Sequence, residues 1–223
     1  MKKTQKKAEN PNLPALVLDK HEYLRIRKAV TATPVGHDRF EWARSLRRPD
    51  NADDLALTLV QVVLASGYSA DRAEAAFPNV KRALHAGKSV ALAFPHPHKA
   101  AAIEQLWRNR ERLFADFQAF RGGDPEAVAW FGHLPVAYIR GPVLRYQAAR
   151  DTAAADVAKP DRLMTRIAKL AGESDVQAMC RRLAKASGDR VGTVDVVLWH
   201  AASVGIIPGI SRRASGRMAR NCA

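Results

Sequence analysis

Between positions 53 and 66 the chain places Leu55, Leu57, Leu59, Val60, Val62, Val63 and Leu64 with little polar interruption. At 3.6 residues per turn these side chains cover most of a helix circumference, so the segment has to be enclosed by other elements. The rest of the chain supplies helices to do it. Alanine, leucine and arginine are plentiful, β-branched alternation is scarce, and no fixed-period repeat appears. Ser69 is placed to cap the next helix. Ile103, Leu106, Trp107, Leu113, Phe114, Phe117 and Phe120 form one core-facing stripe over 99–120, with arginines on the other face. Asp124-Pro125 starts a helix that ends near Gly132, Gly141-Pro142 starts another, and Pro160-Asp161 opens a third with Leu163, Met164, Ile167 and Leu170. Ser174 with Gln177 reads as a capping box, and Thr193 as the cap of a helix running to Ala202. Only 89–94 has the composition of a strand. The expected fold class is all-α.

Charge bounds the partners. The 223 residues carry 36 Lys and Arg against 22 Asp and Glu, a net charge of +14. With the lysine-rich first ten and arginine-rich last twelve residues set aside, 28 basic and 21 acidic residues remain, so the body is itself basic. Such a surplus attracts polyanions and gives sequence-independent affinity through counterion release. It also serves solubility. A hydrophobic fraction of 47% excludes a disordered chain. Apolar stretches are broken by Asp195, His200 or Pro208, so no membrane span or membrane partner is expected. Met1-Lys2-Lys3 has no apolar segment behind it, which leads us to expect a soluble, cytoplasmic protein, nucleoid-associated if bacterial. Two cysteines, Cys180 and Cys222, exclude a disulfide framework and an all-cysteine metal or iron–sulfur site. His96-Pro97-His98 lacks metal-ligand spacing, and no metal or cofactor is expected.

The informative stretch is 124–161. A short helix ends in Phe131-Gly132-His133-Leu134-Pro135, a tight connection runs through Tyr138-Ile139-Arg140-Gly141, and a second helix begins at Pro142. Backbone N–H groups at the start of such a helix bind phosphate without a charged side chain and without reading bases. Helical hairpins with glycine are common, and this one alone does not establish DNA binding.

With Val157-Ala158-Lys159-Pro160-Asp161-Arg162-Leu163 added, the chain resembles the helix-hairpin-helix DNA glycosylase superfamily, the endonuclease III-like or HhH-GPD group. In that family a glycine-rich hairpin is followed, after one helix and a loop, by a catalytic aspartate at the start of the next helix. Val194-Asp195-Val196-Val197-Leu198-Trp199 resembles the family's late packing helix, and 57–71 its paired helices whose loop enters DNA. The resemblance covers roughly residues 40–205. It implies a two-lobed helical bundle, with a helical barrel lobe carrying the hairpin over 50–145, a second lobe from 13–49 and 146–210, and basic tails at 1–12 and 211–223.

The chain departs from the family pattern. Where bifunctional members carry a nucleophilic lysine, counting back from Asp161 reaches Val143, which cannot form a Schiff base. No four-cysteine cluster is present, and Arg140 lengthens a hairpin less rich in glycine than usual. The resemblance therefore implies a monofunctional glycosylase that uses water, acts as a monomer and takes double-stranded DNA containing a damaged or modified base.

In that chemistry Asp161 stabilises the oxocarbenium-like sugar and orients or deprotonates water. An aspartate after proline is also an ordinary helix cap. Tyr68, in the loop 66–69, stands where relatives insert a wedge into the duplex, or is a plain loop tyrosine. Tyr68, Ser69, Ile139, Arg140, Gly141 and Val143 are the expected DNA contacts. Trp42, Trp130, His133, Tyr138 and Asp195 are candidates for the base pocket, each also explicable as core or surface, and Asp195 as a structural acid. The rivals are a non-catalytic DNA-binding protein on the same fold and an all-α adaptor for acidic partners.

Overall fold

The computed structural model describes residues 16–208 and Ile210, so the two basic tails lie outside the described residues. Among the described residues every regular element is helical. The elements are α1 (Lys20–Thr31), α2 (Pro34–Ser45), α3 (Ala52–Ala65), α4 (Ala70–His85), a 3-10 turn (Val90–Leu92), α5 (Pro97–Arg108), α6 (Arg110–Ala119), α7 (Asp124–His133), α8 (Leu144–Asp151), α9 (Arg162–Leu170), α10 (Val176–Ser187) and α11 (Val191–Val204). No described helix is long and apolar enough to cross a membrane.

The side chains form two hydrophobic cores. In the first, α3 is the central rod: Leu55, Leu59, Val60, Val62, Val63 and Leu64 are fully buried, and α4, α5, α6 and α8 pack around them. Asn51 starts α3 by accepting the Asp54 N–H at 2.9 Å, and Gly67 at φ +69° turns the chain out of it. In the second core α11 is central, with Val194, Val197, Leu198 and Ala201 enclosed by α1, α2, α9 and α10. The chain crosses between cores twice: over 46–51, from α2 to α3, and again at a single peptide bond, where Val157 belongs to the first and Ala158 to the second. The sequence boundary at 145 is thus too early. Ala148 and Ala149 of α8 are buried in the first core because α8 packs on α3 and α7.

Several local expectations are corrected. The stripe over 99–120 is two helices broken at Asn109, whose side-chain amide donates to the Gln105 carbonyl at 2.8 Å. The segment 89–94 is a 3-10 turn and not a strand; the Val90 N–H goes to Glu104 Oε1 at 2.8 Å. Helix α8 begins at Leu144 instead of Pro142. Asp175, and not Ser174, caps α10, and the Gln177 side chain bonds the Ala158 backbone instead of closing a box.

The start of α11 is capped from outside. Thr193 lies inside the helix, fully buried, while Asp156 accepts the Val191 and Gly192 N–H groups at 3.0 and 2.9 Å. Asp124 in turn does not cap α7; its carboxylate accepts the Asp156 N–H at 3.0 Å. Asp124 and Asp156 therefore tie α7 of one core to α11 of the other. Arg39 of α2 bridges the cores a second time through Glu74 of α4 at 2.8 Å.

Candidate functional site

The linker 152–161 crosses between the cores, and its last residues are fixed by charge. Its geometry is tight from the start, with Ala153 at φ +48°. The Lys159 N–H donates to Asp195 Oδ2 at 3.0 Å, and the Asp161 N–H donates back to the Lys159 carbonyl at 2.8 Å. Asp161 Oδ1 accepts from Leu163 and Met164 N–H at 2.8 and 3.0 Å, as the N-cap of α9. Asp161 Oδ2 accepts from the Trp199 indole Nε1 at 3.1 Å and faces Lys159 Nζ at 4.0 Å. The Asp161 side chain keeps 17% of its exposure, so this carboxylate is oriented, charge-compensated and open on one side.

Beneath it lies a buried ionic layer. Arg150, at the end of α8, pairs with Asp151 at 2.8 Å and with Asp195 of α11. Gly192 makes room for it, since a Cβ there would meet Arg150 Cγ at 2.9 Å. Burial pushes the Asp195 carboxyl above its ordinary range, with Arg150 and the Lys159 N–H opposing. Burial would favour loss of the Arg150 proton, but Asp151 and Asp195 overcome that and hold it charged. Burial and the nearby Arg150 lower the Lys159 ammonium. Gln147 Oε1, Thr193 Oγ1 and Asp195 Oδ1 are buried without a hydrogen-bond partner in this layer.

Residues 192, 195 and 199 share one face of α11, so a single helix presents the gap for Arg150, the acid that pins Lys159 and the indole that holds Asp161. Over the Trp199 ring, at 5.8 Å, stands the Arg39 guanidinium. Beside it, burial and Arg39 lower the His200 imidazole.

The hairpin, residues 134–143, is anchored by Leu134, Val136 and the fully buried Ile139. Arg140 is exposed, and Tyr138 takes φ +75° with its carbonyl accepting the Gly141 N–H at 3.2 Å. A Cβ at Gly141 would meet that carbonyl at 3.2 Å. The Gly141 donor is therefore already spent, and Pro142 has none. This narrows the expected phosphate cradle to the turn's remaining amides, with Val143 as the N-cap of α8.

The other expected residues are scattered. The Tyr68 ring is half-buried, with Lys99 Nζ at 3.9 Å from its centre and Phe94 edge-on at 5.7 Å, while Ser69 caps α4. Trp130 packs with Phe117, Phe120 and Phe131 in the first core, and half-buried Tyr138 packs on the same core. His133 bonds the Ala129 carbonyl at 2.7 Å on the surface, and Trp42 is an exposed side chain of α2. Of the five pocket candidates, Asp195 is the one tied to Asp161, through Lys159. Sequence reasoning missed Lys159, Trp199, Arg39 and Arg150 as site residues. The signals were the two-residue offset of Lys159 from Asp161 and the one-turn spacing of Asp195 and Trp199.

Two open surface concavities, of about 620 Å³ beside Asp53, Lys81 and Arg110 and about 610 Å³ around 169–172, do not include Asp161. Among the described residues no group of three or more His, Cys, Asp or Glu could hold a metal ion. No family model matches the chain, and no curated protein or solved structure does either.

Proposed function

We propose that this chain is a monofunctional DNA glycosylase of the helix-hairpin-helix type, hydrolysing the N-glycosidic bond of a damaged or modified base. The observation that carries the reading is the Asp161 carboxylate, held by the Leu163 and Met164 amides and the Trp199 indole at the end of the linker while part of it faces out. As the base departs, positive charge grows on the deoxyribose. A carboxylate that is already oriented stabilises that charge without reorganising, and takes a proton from the attacking water.

The basic body supplies sequence-independent attraction to the duplex, and the turn 138–144 is the proposed backbone contact. Base flipping leaves a gap to be filled, and two side chains are proposed for it. Tyr68 packs on Phe94, and Leu92, two residues earlier, is 87% exposed at the 3-10 turn.

The test is incubation of the full chain with duplexes carrying alkylated, oxidised, deaminated or hypermodified bases, followed by alkali. Alkali-labile strand breaks at one lesion class support the reading; intact strands with every class overturn it. A second reading is a non-catalytic DNA-binding protein. What favours it is that both Asp161 oxygens already accept hydrogen bonds, as a purely structural cap would. Salt-sensitive duplex binding without any abasic product would select it.

A further inference from the structure

Helix α9 separates its residues onto two faces. Leu163, Met164, Ile167 and Ala168 are buried in the second core, while Arg162, Thr165, Arg166 and Lys169 are exposed on the other side. Spacings of three and four residues put these four in one row along the helix. The helix contains no acid, and between 157 and 170 four basic residues stand against Asp161 alone. Several exposed arginines elsewhere lie against a carboxylate, as Arg25 does with Glu22, Arg44 with Glu41, Arg47 with Asp50 and Arg112 with Asp116. Among the described residues Arg162 and Arg166 meet no acid. Helix formation does not ask for this pair: cations four residues apart repel, and one in the first turn opposes the helix dipole. An external polyanion relieves both effects.

We infer that the exposed face of α9 is a rail for one strand of the duplex, with Arg162 and Arg166 contacting phosphates that flank the nucleotide presented to Asp161. The inference deepens the proposed function and rests on the reading of Asp161 as the residue facing a DNA sugar. Asp161 caps the helix that carries both arginines, so the sugar contact and the phosphate contacts share one rigid element. Arg162 and Arg166 stand about 6 Å apart along the helix axis. Each guanidinium can hold a phosphate through two parallel N–H donors, and such contacts read no base. Ile139 of the turn 138–144 belongs to the first core and α9 to the second, so the duplex is gripped from both. An anionic membrane offers similar charge, but the apolar residues of α9 are buried in the core, which leaves none to enter lipid.

The experiment measures binding of the full chain to an undamaged duplex as salt is raised from about 50 to about 200 mM. Each phosphate contact adds about one unit to the slope of log affinity against log salt, so Arg162→Gln with Arg166→Gln is expected to lower that slope by about two. Over this range the double variant should lose about tenfold less affinity than the parent. Lys20→Gln with Lys28→Gln, at exposed positions of α1, removes the same charge and is expected to leave the slope nearly unchanged. Equal slopes in the parent and the arginine variant, an equal fall in both variants, or capture by phosphatidylserine vesicles without duplex binding overturns the inference. On the unaltered chain, bound duplex is expected to shield Arg162 and Arg166 from phenylglyoxal, as read by mass spectrometry. Modification of both at the DNA-free rate overturns the inference however the variants fold. None of these measurements needs base removal, so the glycosylase reading fails separately, when every lesion-bearing duplex keeps its base.

Discussion

The Trp199 indole N–H and the Asp161 carboxylate meet at 3.1 Å across 38 residues of chain. One belongs to the central helix of the second core, the other to the end of the linker arriving from the first. The bond fixes the carboxylate's rotation, because the α9 amides hold Oδ1 and the indole holds Oδ2.

Asp161→Asn separates the cap from the charge. Asparagine caps helices as well as aspartate, so the α9 cap is retained, while its amide nitrogen replaces the oxygen that accepts from Trp199 and a loss of about 1.5–3 kcal/mol is expected. Base release in single turnover is expected to fall by about 10²-fold or more, with duplex binding retained. Excision at the parent rate would remove Asp161 from the chemistry.

Trp199→Phe keeps the ring and removes the donor. Loss of one hydrogen bond to a charged group costs about 1.5–3 kcal/mol, which denaturant titration can read. Excision by the proposed glycosylase should slow while duplex affinity holds. An unchanged rate would limit the indole to structure.

Asp195→Ala leaves Arg150 with Asp151 alone and takes the acceptor from the Lys159 N–H. Breaking a buried pair from one side typically costs about 3–5 kcal/mol. A loss below about 1 kcal/mol by chemical denaturation would show the layer to be dispensable for stability.

Lys99 gives the fold a measurable pH response. It is 2% exposed, donates to the Leu64 carbonyl at 2.9 Å, and burial lowers its ammonium to about 8. Between about 8 and the ordinary lysine value near 10.5, the unfolded chain binds the proton and the folded chain does not. Stability from this group therefore rises with pH across that window, by at most about 1.4 kcal/mol per pH unit. Urea titrations at several pH values should show this slope in the parent and not in Lys99→Met; matching slopes would refute it.

For the proposed wedge, Tyr68→Ala and Leu92→Ala are compared on fully paired and mismatched lesion sites. The side chain that enters the duplex is the one whose loss slows paired sites more, since mismatches lower the cost of flipping. Equal slowing of both sites by both variants would leave the duplex without a wedge from this edge.

Local chemistry along the chain was enough to determine the helices. The apolar circumference of 53–66 required a central rod, and Ser69 and Asp161 stand as the caps their neighbours implied, because these depend on residues a few positions apart. Where a cap came from a distant residue, local reading failed: Thr193 looked like the start of α11, but Asp156 serves that end from 35 residues away. Asn109 divided the aromatic stripe because its amide took a carbonyl that periodicity alone does not weigh.

The site divides in the same way. Asp161 was legible as a helix-opening acid, whereas its partners Lys159, Asp195, Arg150 and Trp199 come together when α8, the linker and α11 cross between two cores. Pairing of buried charges is set by which helices pack, and at separations of 36 to 45 residues no sequence period encodes it. Sequence alone determined an all-helical chain with an acid at one helix start; tertiary packing decided what surrounds that acid, because burial makes an uncompensated charge costly and so selects its neighbours.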